Sequence, residues 1–132
     1  MVPLSVFDIA ARAMSAQLVR LNTTASNLAN AGSIAGSEAT AYRPLKPVFA
    51  SHYDRGLATV DVERIAADTR APERRHQPTH PLADANGDVW VAAVDTNQEL
   101  VEMTETARQY ANNVEVMATA KALMLDTLRM GK

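Results

Sequence analysis

The feature that most constrains this chain is a heptad repeat of apolar side chains at each end. Near the N-terminus Leu4, Phe7, Ala11, Met14, Leu18, Leu21, Ala25 and Leu28 recur at alternating intervals of three and four residues. Near the C-terminus Leu100, Met103, Ala107, Tyr110, Val114, Met117, Lys121, Met124 and Leu128 do the same. A strand would repeat at every second residue, whereas this spacing draws one stripe along an α-helix. Sustained over several turns, it is the pattern of a coiled-coil seam. The predicted helices are about 37 Å and about 50 Å long at about 1.5 Å per residue. Joined by a compact middle, they should fold back as an antiparallel coiled-coil hairpin. The expected class is mainly α, with a small β-containing middle segment.

The predicted domains are residues 1–31 as the N-terminal coiled-coil helix, 32–95 as an extended connector and small β-rich outer segment, and 96–132 as the C-terminal coiled-coil helix. Ser5 is the expected cap of the first helix, with Asp8 near its positive dipole end and Leu4 stapled onto Ile9. Gly32 should stop that helix. Thr96 and Glu99 read as a capping box for the second helix, and Gly131 as its end. Between the helices, Pro44 and Pro47 exclude helix from the stretch 32–47. Strands are expected over Val48–Tyr53 and Thr59–Ile65, joined by a turn at Asp54-Arg55-Gly56. Val60 and Val62 alternate there with Asp61 and Glu63. Residues 68–83, with Pro72, Pro78 and Pro81, read as a surface loop. Asn86-Gly87 then turns the chain into a third strand, Val89–Val94.

Apolar residues make up 47% of the chain but aromatics only 5%, so the apolar content is largely Ala, Val, Leu and Met, which suits close helix packing. One hairpin seam does not use all of it. Val101, Val116, Leu123 and Leu125 lie off the second stripe, and Val6, Ile9, Ala13 and Val19 off the first. Leaving these eight side chains wet would forgo on the order of 10 kcal/mol, at about 1–2 kcal/mol each. The middle is too short to cover about 50 Å of helix, so cover by other subunits is favoured over a monomeric bundle with a further layer. Lys121 on the seam either sets register or snorkels at its edge. The stretch Asn22 to Ser33 points the same way. Thr23, Thr24, Ser26, Asn27 and Asn30 bring no charge to a helix end, which suits a face that meets another protein. Ser26, Asn27 and Asn30 are its expected intersubunit polar residues.

Several function classes lose support. Thirteen basic against fifteen acidic residues leave a net charge of −2, unlike a general nucleic-acid binder. No cysteine is present for a disulfide, a thiolate metal site or a cysteine nucleophile. The N-terminus lacks the basic start of a secretory signal, and Asp8 and Arg12 interrupt its apolar residues. No apolar run reaches the roughly 18 residues of a membrane span. His76 and His80 have helical ligand spacing, but Pro78 between them removes the helix. Asp84, Asn86 and Asp88 imitate the start of a calcium loop, yet the glycine comes too early and Asp95 stands where that loop has Glu. A plain Asn-Gly turn explains them better. Glu99, Glu102 and Glu105 read as a solvated face, and Met103, Met117 and Met124 as helix packing rather than a promiscuous groove. The expectation is a protein that is not an enzyme, with no catalytic, cofactor or metal site.

The stretch SNLANAGS at residues 26–33, closing an N-terminal heptad helix, resembles the signature of bacterial flagellar axial proteins. More narrowly, residues 14–33, AYRPLKPVFA at 41–50, QPTHPLADANG at 77–87 and residues 113–132 are similar to the proximal rod proteins of the flagellar basal body. The similarity runs through nearly the whole chain in order. It departs at Asp88, Trp90 and Ala92-Ala93-Val94-Asp95, and at Tyr110-Ala111-Asn112-Asn113. The resemblance implies a self-assembling structural subunit for motility, part of the drive shaft that transmits torque. It implies export through the flagellar type III apparatus without signal cleavage, a periplasmic location in the basal-body rod, and terminal helices packed in an inner layer. The implied partners are copies of itself, other rod proteins, the membrane-ring junction and the export apparatus, with no nucleic acid and no direct membrane span. A cytosolic helical adaptor or export-chaperone-like binding module is the competing reading.

Overall fold

The structure, a computed structural model, describes residues 2–131, with side chains from residue 6 onward. In chain order it contains α1 (Val2–Ala29), β1 (Ile34–Ala35), β2 (Leu45–Asp54), β3 (Leu57–Ala67), β4 (Glu73–His76), β5 (Asp88–Val91) and α2 (Thr96–Met130). The expected class, a mainly-α coiled-coil hairpin with a small middle, is corrected by these elements. Helices of 28 and 35 residues frame five strands in two antiparallel sheets, so the described residues form a mixed α and β fold. The reason lies in the middle of the chain, whose strands are more numerous than hydrophobic alternation suggested; β2 and β3 are also longer, while the expected strand Val89–Val94 is observed as Asp88–Val91. β4, Glu73-Arg74-Arg75-His76, has no apolar residue and so no alternation to read. It is a strand because β5 offers it a hydrogen-bonding edge, with Arg74 opposite Trp90 and Arg75 opposite Val89.

Two helix starts also differ from expectation. α1 already includes Ser5, so Ser5 is not its cap; the staple from Leu4 to Ile9 lies outside the described side chains. At α2 the cap is Asp95 rather than Thr96. Its Oδ1 accepts hydrogen bonds from the backbone N–H of Asn97 at 3.1 Å and of Gln98 at 3.2 Å. Its carbonyl takes the first helical bond, from Glu99 at 3.0 Å. A carboxylate there satisfies orphan donors and complements the helix dipole together.

By compactness the chain forms two units, Met1–Leu21 with Pro47–Arg64 and Thr104–Lys132, and Asn22–Lys46 with Ile65–Met103. The second unit holds the three-stranded sheet, in the order β1-β5-β4. Ile34 and Ala35 of β1 pair with Val91 and Trp90 on one side of β5, and β4 pairs along the other. Along β5 every second side chain is buried: Val89 is 0% exposed and Val91 nearly so. With Ala41, Pro44 and Ala92 they make a small aliphatic core.

Most of the β2–β3 hairpin belongs to the first unit. Its two-residue turn places Arg55 at φ 50° and Gly56 at φ 82°. Two successive positive φ values make the type I′ geometry whose twist matches that of paired strands. A two-stranded ribbon is marginal alone, and α1 supplies an anchor. Arg12 donates to Asp61 at 2.9 Å and also pairs with Asp8 at 3.4 Å. These two carboxylates, Asp61 foremost, raise the guanidinium's pKa further. The buried helix residues of this unit, Ala10, Ala16 and Thr106, are all small. Small contact residues let helix axes approach closely. Gln17 Nε2 donates to Gln109 Oε1 at 2.9 Å across that contact.

Candidate functional site

At the end of α1, Asn27 is 1% exposed and makes four hydrogen bonds through its carboxamide. Its Nδ2 donates to the carbonyl of Leu45 at 2.9 Å and to Glu99 Oε2 at 3.1 Å. Its Oδ1 accepts from the Leu45 N–H at 2.7 Å and from the Tyr42 hydroxyl at 2.8 Å. The carboxamide therefore pairs with both backbone groups of Leu45, as a neighbouring strand would, and has its remaining capacity filled. One side chain thus joins the end of α1, the first residue of β2 and the first turn of α2. Tyr42 Oη lies 3.0 Å from Ser26 Oγ, which extends the network by one hydroxyl. Asn30 closes locally, donating from Nδ2 to the Ser26 carbonyl at 2.8 Å.

This gives the uncharged helix end a different explanation. Thr23, Thr24 and Asn27 lack charge because they are buried inside their own chain. Of the three residues expected to face other subunits, Asn27 has all its hydrogen bonds inside the chain. Ser26 and Asn30 are half-buried and also bonded within it. Glu99, read from the sequence as part of a solvated face, is 7% exposed. A buried carboxylate needs a donor, and Asn27 is that donor.

The heptad residues occupy a second surface. Along α1, Phe7, Met14, Leu21 and Leu28 are half-buried, while Ala11, Leu18 and Ala25 are exposed. Leu4 lies outside the described side chains. Along α2, Met103, Tyr110 and Met117 are half-buried, while Leu100, Ala107, Val114, Met124 and Leu128 are exposed. Most of the buried helix residues stand one position earlier, Ala16 and Thr23 being buried off that line. Ala10, Thr24, Asn27, Glu99 and Thr106 each stand immediately before a residue of the expected seam. One residue is a rotation of about 100°. Alanine, threonine and asparagine lie on the inner line, and leucine, valine and methionine on its flank. Hydrophobic periodicity registers the large side chains and passes over these small buried ones.

The far part of α2 has apolar groups on several sides. Val116, Leu123, Leu125 and Met130 join Val114, Met124 and Leu128 as exposed large hydrophobics, with Leu123 63% exposed. Val6, Phe7, Ala120, Leu123, Met124, Thr127 and Leu128 line an apolar groove of about 430 Å³.

The candidate metal residues are engaged otherwise. His76 Nδ1 lies 3.0 Å from Asp88 Oδ1, and His80 Nδ1 accepts from the Leu82 N–H at 3.1 Å. Asp84 Oδ1 accepts from the N–H of Asn86 and of Asp88, both at 2.9 Å. Among the described residues no three His, Cys, Asp or Glu side chains group as a metal site, and no helix is long and apolar enough to cross a membrane.

Comparison with known proteins defines the class. Residues 7–32 match the family described as flagella basal body rod protein, and residues 85–130 the C-terminal family of the flagellar basal body rod FlgEFG proteins. These two stretches cover most of α1 and all of α2. The chain is 43% identical over 131 residues to the flagellar basal-body rod protein FlgC of Salmonella typhimurium, covering 98% of each. It is 46% identical over 132 residues to FlgC of Yersinia enterocolitica, again 98% of each. With FlgC of Buchnera aphidicola subsp. Schizaphis graminum it shares 34% over 133 residues. The chain belongs to the FlgC family of flagellar basal-body rod proteins. It is a structural subunit of the flagellar basal body that assembles with other rod components in bacterial motility, and not an enzyme.

Proposed function

We propose that this subunit occupies the proximal rod and transmits torque through helix contacts with its neighbours. The observation that carries the reading is the group of large apolar side chains around α2, from Val114 to Met130, which a single chain leaves exposed. Burying side chains of that size is worth about 1.5–3 kcal/mol each when complete. A group of them therefore gives each subunit a stiff, water-excluding contact without any chemical step. Leu100 and Val101, also exposed, extend the same kind of surface to the other end of the helix. The seam residues serve as the assembly surface and the Asn27 network as the brace behind it. Neighbours are other copies, other rod proteins and the membrane-ring junction, in the periplasmic space. The export apparatus delivers the chain unfolded and with its N-terminus uncleaved.

The double substitution Leu123→Asp with Leu128→Asp tests the reading, because both residues are more than 60% exposed and outside the buried core. The purified variant should keep the helix content of the wild-type chain while cells expressing it lose swimming and form no rod. Immunoblots of isolated basal bodies should find the wild-type chain and miss the variant. Normal motility would refute the assembly surface. A wild-type chain confined to the cytosol would favour the adaptor reading instead.

A further inference from the structure

We propose that Asn86-Gly87 is a deamidation site of the unfolded chain that folding closes, and that Asp84 is the positioning residue that closes it. An asparagine followed by glycine is chemically exposed because the glycine nitrogen approaches the side-chain amide without a Cβ in the way. In the reaction, Gly87 N loses its proton to water and attacks Asn86 Cγ. An N–C bond forms, the bond from Cγ to Nδ2 breaks, and the amide nitrogen leaves as ammonia. Water then opens the five-membered imide at either carbonyl, leaving an aspartyl residue or an isoaspartyl residue with one extra carbon in the main chain. Asn86 is an exposed side chain open to that water.

The fold withholds the nucleophile. Residues 84–87 form a β-turn in which Gly87 N donates to the Asp84 carbonyl at 3.0 Å. The Asp84 carboxylate holds the N–H of Asn86 and of Asp88, each at 2.9 Å. The two chain segments are further tied by Asp84 N to the Asp88 carbonyl at 2.9 Å and Gln77 N to the Gly87 carbonyl at 2.9 Å. The glycine nitrogen therefore points at a main-chain oxygen, and the backbone on both sides of it is pinned. Aspartate at the first position and glycine at the fourth are the preferred residues of such a turn.

The aspartyl product keeps the main chain as it was, but the isoaspartyl product lengthens it next to a tightly packed glycine. Gly87 has φ +78°, and a Cβ on it would stand 3.1 Å from His76 Cε1 and from Pro78 Cβ, and 3.2 Å from Pro78 Cα. An added backbone carbon at the preceding residue would push this turn into the same wall. A chain converted to isoaspartate before folding is thus marked at the entry to β5, the centre of its sheet.

The test is an incubation of the full chain at mildly alkaline pH, native and in urea, followed by peptide mapping with isoaspartate detection. Releasing one turn hydrogen bond before attack should slow the native chain by about tenfold relative to the unfolded one, and several together by more. Asp84→Ala should raise the rate in the native chain by about tenfold. Circular dichroism separates that local effect from global unfolding, and Asp84→Asn, which keeps a side-chain acceptor, should restore most of the protection. Equal rates in native and unfolded wild-type chain would overturn the proposal. So would an Asp84→Ala variant that stays folded and reacts no faster.

Discussion

Replacing Asn27 by aspartate hardly changes the volume and keeps an acceptor oxygen where Oδ1 stands, yet it replaces the Nδ2 amide, with its two N–H donors, by a second oxygen. The Leu45 N–H and the Tyr42 hydroxyl would still find an oxygen. The Leu45 carbonyl and Glu99 Oε2 would each face an oxygen in place of a donor. Leaving a buried acceptor unsatisfied costs about 1–3 kcal/mol, so the pair costs about 2–6 kcal/mol. Against a total stability of about 5–15 kcal/mol for a domain, that removes from a fraction to nearly all of it. The second consequence is electrostatic. A carboxylate at position 27 would lie at hydrogen-bond distance from that of Glu99, and two buried like charges so close share one proton. The folded variant would hold one of its two carboxyl groups protonated above its unfolded pKa. The electrostatic penalty is then absent below about pH 4, where unfolded carboxyls are also protonated. It becomes full as pH rises through the raised folded value. Urea unfolding followed by circular dichroism, from about pH 4.5 to about pH 8, measures this directly. The midpoint of Asn27→Asp should fall steadily across that range relative to wild type. Adding Glu99→Gln, whose amide donates to the new carboxylate, should flatten the difference and recover part of the loss. A variant as stable as wild type at neutral pH, with no pH dependence, would refute the assignment of Asn27 as the brace between the two helix ends.

Three further outcomes follow from the same structure. Gly87→Ala combines a positive φ with contacts of 3.1 Å to His76 and Pro78; it should cost about 2–5 kcal/mol in urea unfolding, from left-handed strain and overpacking together. Asp68 has its pKa lowered, first by the Arg70 backbone N–H and then by the Arg70 and Lys46 charges. Its contribution is therefore present above the unfolded carboxylate pKa and lost as pH falls through the lowered folded value, so wild type should lose more stability on acidification than Asp68→Asn, and equal acid sensitivity would contradict the contact. Gln17 Oε1 is buried without a partner beside the bond from Gln17 Nε2 to Gln109; the double change to leucine should leave thermal stability within about 1 kcal/mol of wild type or raise it, and a large loss would show that the amide pair matters more than its geometry indicates.

The helices were legible because a repeat of three and four persists over many turns, and no other element produces it. The β2–β3 hairpin was legible through Val60 and Val62 alternating with acids and through Arg55-Gly56. β4 was illegible because four polar residues in a row have no period; only the edge of β5 makes them a strand. The Asn27 clamp was hidden for a related reason. Its partners come from residues 42, 45 and 99, and no local pattern links them. Nor do the small buried residues of the helices stand out, since Ala10, Thr24 and Thr106 carry little of the hydrophobic weight that a periodicity counts. Large side chains dominated the sequence signal while small ones occupied the inner contact. The network of Asn27 could have been suspected only from the lack of charge around it, and that lack suits a buried face as well as a docking one.

The proposed assembly surface, the exposed leucine, valine and methionine of α2, has a consequence for what the word stability means in this protein. Free energy that is released only when neighbours cover those side chains is governed by mass action. The melting temperature of this subunit is then a function of how many others surround it, rising with concentration as an isolated domain's does not. A dilute sample and an assembled shaft would report two different proteins from one sequence, and the interval between their melting points would measure the cohesion of the shaft itself.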